Sequence, residues 1–339
     1  MKNLLNVSIV LFFLISFSFC KSVGNDQNSK SKDSLQLIEV IFDTDANNEV
    51  DDQHALAYLI LNDTTFHIVG VTVNATKSGG SIEKHYQEAD RVIRLCSKKG
   101  KFPLYKGANG SFDSITPSLS NPGFDGHEAV DFIISEARKD RKNKLVLIPV
   151  GKLTNIALAM KKAPEIARNI RIVWLGSNYP KPGEYNQDND IPALNYILDQ
   201  PVDFEMVTVR FDDTTGSAAV TVTPDIMKTN MPGAGPLGET IEGRHGGSFN
   251  HFGDYSLDLF NHAEMYGNPP SRSLFDVVAV AVVKNPSWGK KTILPSPHFD
   301  LKAGKWVERK ENPNKLVVWE YFDKQAILND FFEVIKAGK

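Results

Sequence analysis

The chain has 339 residues, of which 41% are hydrophobic, 23% charged and 10% aromatic. This balance excludes disordered, collagen-like and coiled-coil proteins and is typical of a globular protein of enzyme size. The 38 basic and 41 acidic residues give a net charge of −3, which excludes an overall basic field for binding nucleic acid. The sequence contains two cysteines, Cys20 and Cys96, which excludes a disulfide framework and a cysteine-based metal cluster.

Residues 1–20 have the pattern of an export signal. One lysine precedes an apolar run over residues 4–19, which is shorter than the ~20 residues that a membrane-spanning helix needs. Cys20 follows this run, where a bacterial lipoprotein carries its acylated cysteine, but Phe19 stands in place of the usual small residue. The sequence therefore leaves a lipid anchor at Cys20 open. Residues 21–36 form a polar linker, and we expect an exported protein, either periplasmic or lipid-anchored to the cell envelope.

From residue 37 onward, short apolar runs alternate with stretches of helical periodicity. Near-continuous apolar runs are typical of strands covered on both faces, and their alternation with helices favours a parallel sheet. The predicted strands are residues 37–42, 67–73, 144–150, 170–175 and 204–209, and the predicted helices are residues 50–61, 81–97, 126–138, 153–162, 191–200 and 271–284.

The last part of the chain has a different pattern. Residues 224–253 are rich in glycine and proline and predict a long loop of the kind that forms lids. The segments 292–297, 305–308 and 315–321 predict a small antiparallel addition, which a helix over residues 323–336 follows. No internal repeat or second-domain boundary is visible. We therefore predict one α/β domain over residues 37–339, with an open, mostly parallel sheet flanked by helices.

An acidic segment follows the first predicted strand. Five acidic residues lie between residues 43 and 52, and residues 33–76 contain no lysine or arginine. Carboxylates crowded into one turn repel each other, so a proton or a cation must neutralise them. Oxygen ligands favour Ca²⁺ or Mg²⁺ over zinc. Taken one by one, Asp51 and Asp52 also suit the first turn of a helix, and Asp45 suits a solvated loop.

The segment DTDANNEVDDQHALAYLI, residues 43–60, resembles the opening motif of the inosine–uridine nucleoside hydrolase family. Three later segments resemble that family in the same order: residues 148–157 with a Gly-x-Leu-Thr-Asn turn, residues 184–186 with Asp190 behind them, and residues 273–279 around Asp276. The resemblance covers about residues 37–335.

This resemblance implies Ca²⁺-dependent hydrolysis of the N-glycosidic bond of a ribonucleoside, giving ribose and free base in purine or pyrimidine salvage. Asp45 would act as general base and also bind Ca²⁺. The other residues that the resemblance assigns are Asp52, the carbonyl of Val150 and Asp276 as further Ca²⁺ ligands, Asp51, Asn178, Glu184 and Asn186 as sugar contacts, and Asn48 and Asn74 as weaker candidates.

The sequence departs from the family at the leaving group. Phe275 stands where the family carries a histidine before the late aspartate, and Pro122 stands where a second histidine is usual. General acid help is worth about 10²–10⁴ in rate, so another donor is expected. The candidates are His245, His251, His262 and Arg272 as donors, and Phe249, Phe252 and Tyr255 as residues that stack on a base. For each histidine, a packing or surface role stays open.

Two other functions remain as alternatives. Residues 42–45 match the Asp-x-Asp segment of haloacid dehalogenase-type phosphohydrolases, but Asn47 stands where those enzymes need threonine or valine. A catalytically quiet nucleoside- or ribose-binding envelope protein is favoured by the missing histidines, whereas the complete acidic set favours an enzyme. In each case the expected partner is a small molecule and not a nucleic acid, and the sequence leaves a homo-oligomer open.

Overall fold

The computed structural model describes residues 36–211 and 213–338, and the residues from Gln36 onward form one compact unit. The expected signal segment 1–20 and all of the expected linker except residue 36 lie outside the described residues. None of the described helices is long and apolar enough to cross a membrane.

The strands are short and, in the central sheet, mostly buried. They are β1 Ile38–Thr44, β2 Phe66–Val73, β3 Leu104–Lys106, β4 Leu145–Pro149, β5 Ile170–Leu175, β6 Asp203–Val207, β7 Thr221–Val222, β8 Ile241–Glu242, β9 Ser248–Phe249, β10 Arg272–Ser273, β11 Lys290–Pro295, β12 His298–Asp300, β13 Lys305–Val307 and β14 Lys315–Glu320.

Eight of these strands form one open sheet in the order β11-β14-β6-β5-β4-β1-β2-β3. Every neighbouring pair is parallel except β11 with β14. The remaining strands form three separate two-stranded antiparallel pairs. The predicted open, mostly parallel α/β sheet is confirmed.

Helices cover both faces of the sheet. They are α1 Asp51–Leu61, α2 Ile82–Leu95, α3 Phe112–Ile115, α4 His127–Ala137, α5 Thr154–Lys162, α6 Tyr185–Asn189, α7 Ile191–Leu198, α8 Pro224–Asn230, α9 Phe252–His262, α10 Phe275–Lys284 and α11 Lys324–Ala337.

The alternation of side chains along each strand divides the core into two apolar layers. In β1, Val40 and Phe42 pack with α1, α2, α9, α10 and α11, whereas Ile41 packs on the other face with α4, α5 and α7. Successive strand residues point to opposite faces, which is why the run is apolar at consecutive positions. This arrangement leaves the carboxyl ends of the strands as the edge at which open parallel sheets bind ligands.

One expectation about the later part of the chain is wrong, and another is incomplete. The segment 224–253 is not one long loop, because it contains α8 and the β8–β9 pair, and α9 begins at its end. The strand β14 pairs antiparallel with β11, as the expected antiparallel addition requires, but it also pairs in parallel with β6 and so joins that addition to the central sheet. Its buried Leu316, Val318 and Trp319 join the apolar core, which explains its central place.

Candidate active site

A cavity of about 840 Å³ opens at the carboxyl ends of the central strands. Loops that follow β1, β4, β5 and β6 supply its floor, and the segment around β10 and the start of α10 supplies one wall. The structure brings most of the predicted site residues together here, namely Asp45, Asn48, Asp51, Asp52, Val150, Glu184, Asn186 and Asp276.

Three carboxylates meet where two helices begin. Asp51 and Asp52 lie in the first turn of α1, and Asp276 lies in the first turn of α10. Each offers an oxygen, and these oxygens all lie within 4.8 Å of one another. The positive ends of two helix dipoles therefore face the same point, which favours negative charge there.

The charge of these three groups is not balanced by a neighbouring base. Burial, and then the charges of Asp51, Asp52 and Asp45, raise the pKa of Asp276 well above its ordinary value. Burial and the neighbouring carboxylates raise the pKa of Asp52 in the same way. Among the described residues that line the cavity, Arg272 is the one basic side chain, and it pairs with Glu49. A buried, oxygen-only set of this kind fits a hard divalent cation.

Asp45 lies beside this group but is held separately. Its Oδ2 accepts hydrogen bonds from Oγ1 of Thr76 at 2.5 Å and from Nδ2 of Asn48 at 3.3 Å. Burial raises the pKa of Asp45. A Cβ atom at Gly151 would lie 2.8 Å from Oδ1 of Asp45, so a glycine is needed for the β4 loop to approach this carboxylate.

The carbonyl of Val150 has a partner that the sequence did not predict. Nδ2 of Asn186 donates to this oxygen at 2.7 Å. A carbonyl oxygen has two lone pairs, so this contact leaves one for a metal ion. The backbone nitrogen of Val150 donates to the carbonyl of Asp43 at 2.8 Å, which fixes the peptide at the edge of the sheet.

Glu184 lines the larger cavity, whereas Asn178 lines a smaller one next to it. Glu184 lines the cavity and caps α6, and its carboxylate accepts from the backbone nitrogens of Ser177, Asn186 and Gln187. Burial raises the pKa of Glu184 to about 7. Asn178, a predicted sugar contact, lines an adjacent cavity of about 310 Å³ and donates to the carbonyl of Gly183. The structure therefore does not bring Asn178 into the larger cavity.

Asn74 belongs to a buried network beneath the cavity. Its Nδ2 donates to Asp43 at 2.9 Å, and its Oδ1 has no hydrogen-bond partner among the described residues. Asp43 also accepts from Thr72 at 2.6 Å and from Asn155 at 2.7 Å. Burial raises the pKa of Asp43 to about 7. This network joins the ends of β1 and β2 to α5 and supports the acidic loop.

The histidines expected at the leaving group lie elsewhere. Nδ1 of His245 lies 3.3 Å from Asp258, and its ring stacks on His262 at 4.1 Å. His251 points its Nδ1 at the carbonyl of Gly235. The lining of the larger cavity, within the described part of the chain, contains no histidine.

The aromatic residues expected to stack on a base are also placed differently. Phe252 and Tyr255 are fully buried in the core, and Phe249 packs against that core outside the cavity. The aromatic residues that do line the cavity are Tyr185, Phe211, Tyr266 and Phe275. The rings of Phe211 and Phe275 pack edge to face at 5.6 Å. Phe211 and Tyr266 lie in loops, where no periodic pattern could have indicated them.

His85 is a neighbour of the site that sequence reasoning missed. It is fully buried in α2, its Nδ1 accepts from the backbone nitrogen of Asn47 at 3.2 Å, and its Nε2 has no hydrogen-bond partner among the described residues. Burial lowers the pKa of His85, and the negative charge of Asp45 opposes this shift. Its place on the buried face of a predicted helix was the available signal, because Glu88 and Ala89 lie on that same face.

Comparisons with known proteins agree with this geometry. The sequence pattern of the family described as inosine-uridine preferring nucleoside hydrolase matches residues 40–327. The chain is 32% identical over 108 residues to an uncharacterized protein of Schizosaccharomyces pombe, covering 30% of this chain and 34% of that protein. It is 26% identical over 200 residues to a pyrimidine-specific ribonucleoside hydrolase of Escherichia coli, covering 57% of this chain and 56% of that protein. The chain thus aligns with about a third to about half of these relatives' lengths.

A solved structure supports the same fold. The purine-preferring ribonucleoside hydrolase from Gardnerella vaginalis has a TM-score of 0.66 and 21% identity to this chain, covering 88% of this chain and 98% of that one. The family match extends over most of the sequence and includes every acidic residue gathered in the larger cavity. The chain therefore belongs to the inosine-uridine preferring nucleoside hydrolase family.

Proposed function

We propose that this protein hydrolyses the N-glycosidic bond of a ribonucleoside and releases ribose and the free base, with Ca²⁺ as its metal ion. The observation that carries the proposal is the convergence of Asp45, Asp51, Asp52 and Asp276 on one cavity. The cavity volume of about 840 Å³ lies in the range of ~300–1,000 Å³ usual for small-molecule sites. Family membership supports the reaction type.

The residues that would hold Ca²⁺ are Asp52, Asp276, Asp45 and the carbonyl of Val150. Carboxylate and carbonyl oxygens are the ligands that this ion prefers. When bound, Ca²⁺ would lower the pKa of a water molecule and orient the ribose hydroxyls.

The chain's own groups account for what the reaction requires at the sugar and at the attacking water. Positive charge grows on the sugar as the bond to the base breaks, and the buried carboxylates of Asp51 and Asp276 would stabilise this charge in a poorly solvated site. Asp45 would accept the proton of the attacking water, because the hydrogen bonds from Thr76 and Asn48 to its Oδ2 hold the carboxylate in place. Asn186, whose amide contacts Val150, and Glu184 would orient the sugar.

The experiment is a hydrolysis panel. Uridine, inosine, adenosine, cytidine and p-nitrophenyl riboside are incubated with the calcium-loaded wild-type protein and with Asp45→Asn, and free base or nitrophenolate is measured. We expect base release by the wild type and a loss of about 10²-fold or more in the variant, the usual size of a general-base contribution. Calcium-dependent binding of nucleosides without any base release would contradict hydrolysis and favour a binding protein.

We further propose that the protein is exported, either to the periplasm or to the cell envelope with Cys20 as its lipid anchor. The support is the apolar run over residues 4–19 that Cys20 ends. The test is fractionation of cells that express the full chain, with metabolic labelling by a fatty acid. Label on the wild type and its absence from Cys20→Ser support the anchor, whereas unlabelled wild-type protein contradicts it.

A further inference from the structure

Arg272 is held rigidly in the wall of the larger cavity. It lies in β10 and its side chain is almost fully buried. One terminal nitrogen pairs with Glu49, which also lines the cavity, and the other donates to the carbonyl of Glu264 at 3.2 Å. The ring of Tyr266 lies 5.3 Å from the guanidinium carbon. Three different neighbours therefore fix one charged group in place.

These contacts do not use all the donors of the guanidinium. Arginine carries five N–H bonds in a planar fork, and Nε of Arg272 has no hydrogen-bond partner among the described residues. A buried donor without a partner is destabilising. Nε is itself shielded from solvent, but the terminal nitrogens of this cavity-lining side chain keep two further N–H bonds beyond the contacts to Glu49 and Glu264. A fixed cation with such unused donors beside a cavity is the arrangement expected when a ligand supplies an acceptor.

In the described part of the chain, the same wall has no histidine that could protonate the departing base. Phe275 stands one residue before Asp276, and no histidine lines the cavity in the described part of the chain. The flat side chains of Phe211, Tyr266 and Phe275 line the cavity with Arg272. Flat rings and a planar cation together suit a heterocyclic base that carries a hydrogen-bond acceptor.

We propose that Arg272 binds the departing base and stabilises the negative charge that develops on it, an inference that rests on the proposed function. The oxygen of water forms a bond to C1′ and its proton passes to Asp45. The C1′–N bond breaks and its electron pair moves to the base nitrogen. Arg272 donates a hydrogen bond to an acceptor on the base and keeps its own proton, and the base anion then takes a proton from solvent.

This assignment also defines the chemistry of the leaving group. The guanidinium donates and cannot accept, so it binds bases that present an acceptor atom. The carbonyl oxygens of uracil and hypoxanthine are such acceptors, and so is the ring nitrogen N7 of purines, adenine included. Arg272 therefore requires an acceptor on the base and does not by itself distinguish oxo-bases from adenine.

The test compares Arg272→Gln with Arg272→Lys and Glu49→Gln on nucleosides and on p-nitrophenyl riboside, whose leaving group departs without help. We expect Arg272→Gln to lower kcat for uridine and inosine by about 10²-fold, the usual size of one stabilising donor, and to lower it for the nitrophenyl riboside far less. Arg272→Lys should recover part of the loss. Independently of turnover, calorimetry should show weaker binding of free uracil and hypoxanthine to Arg272→Gln.

Three results would overturn the assignment. Equal losses on nucleosides and on the nitrophenyl riboside would mean that Arg272 only holds the wall. A loss in Glu49→Gln as large as that in Arg272→Gln would give the role to the ion pair. Unchanged binding of the free bases to Arg272→Gln would show that Arg272 does not contact the base. A wild-type protein that hydrolyses neither nucleosides nor the nitrophenyl riboside would instead refute the proposed function, and this inference with it.

Discussion

Asp43 does not line the cavity, yet it accepts hydrogen bonds from Thr72, Asn74 and Asn155 directly beneath it. All three donors are side chains, and Asp43 is buried. Burial raises the pKa of this carboxyl to about 7, so above neutral pH its charge depends on these donors. Its role is to position the acidic loop, whereas Asp45 two residues later faces the cavity.

Substitution of Asp43 by Asn should destabilise the fold. An amide nitrogen in place of one carboxylate oxygen must face either the donor of Asn74 or those of Thr72 and Asn155. We expect the free energy of unfolding to fall by about 2 kcal/mol, the cost of buried donors without acceptors. Urea unfolding at pH 8 in the presence of a chelator measures this free energy. The exposed Asp63→Asn is the matched control and should change stability little, and equal stabilities of the two variants would contradict the network's importance.

We expect the free energy of unfolding to depend on pH through His54. It is buried between the rings of Phe252 and Phe260, and its Nε2 lies 2.6 Å from Oγ of Ser256. Burial lowers the pKa of His54 to about 4 from its ordinary 6.5. The folded protein therefore keeps this ring neutral at pH values where the unfolded chain binds a proton.

The stabilisation from His54 should be complete above pH 6.5 and be lost as the pH falls from 6.5 to 4. A pKa difference of this size corresponds to roughly 3 kcal/mol. The measurement is the free energy of unfolding of the wild type minus that of His54→Gln, taken at several pH values, since the subtraction cancels the other titrating groups. The difference should shrink as the pH falls from 6.5 to 4. A constant difference for His54 would show that its pKa is not lowered.

At the scale of elements, helix α9 shows why part of the fold could not be predicted. Its residues Phe252, Tyr255 and Leu259 have helical spacing, but the glycines and prolines of residues 224–253 obscured the pattern. Its residues Phe252 and Tyr255 were expected to face a base. In the structure they enter the core, and Tyr255 donates to the buried Glu88 at 2.6 Å.

Gly253 allows α9 to approach the preceding turn. Its nitrogen donates to the carbonyl of Ala234 at 2.8 Å, and an added Cβ atom would lie 1.9 Å from the carbonyl oxygen of Met231. Alanine would favour the helix by about 1 kcal/mol on propensity alone. We expect the clash to decide, so that Gly253→Ala loses about 1–3 kcal/mol. Thermal unfolding measures this, with the exposed Asn261→Ala in the same helix as the control. A stabilised Gly253→Ala would contradict the packing.

Most strands of the central sheet, by contrast, could be predicted from the sequence. Segments β1, β2, β4, β5 and β6 were predicted close to their observed limits, because burial on both faces leaves an apolar residue at nearly every position. The partner of β14 could not be predicted, since its parallel pairing with β6 depends on residues far away in the sequence.

For the whole molecule, the acidic half of the site was predictable and the base half was not. Asp51 and Asp52 begin α1 and Asp276 begins α10, so a motif in each segment was enough to expect their meeting. The base half is built from loop residues such as Phe211 and Tyr266 and from Arg272 in a two-residue strand. Such residues carry no periodic signal, and their neighbours are set only by the complete fold.

Calcium should stabilise the whole fold. A ligand that binds only the folded state at a hundred times its dissociation constant adds about 2.7 kcal/mol, so Tm should rise when Ca²⁺ is added to chelator-treated protein. Asp276→Asn should abolish this rise. It should also raise the Tm of the metal-free protein, because it removes one of the mutually repelling carboxylates. The exposed Asp63→Asn should keep the calcium response, and a response retained by Asp276→Asn would place the ion elsewhere.

The central claim is that the buried carboxylates form a calcium-dependent site for breaking a riboside bond. The most direct measurement is the rate of base release from uridine and inosine while Ca²⁺ is titrated into chelator-treated, full-length protein. We predict no release without the ion and a saturable rise as Ca²⁺ is added. Base release that a chelator leaves unchanged, or no release at any calcium concentration, would contradict the claim.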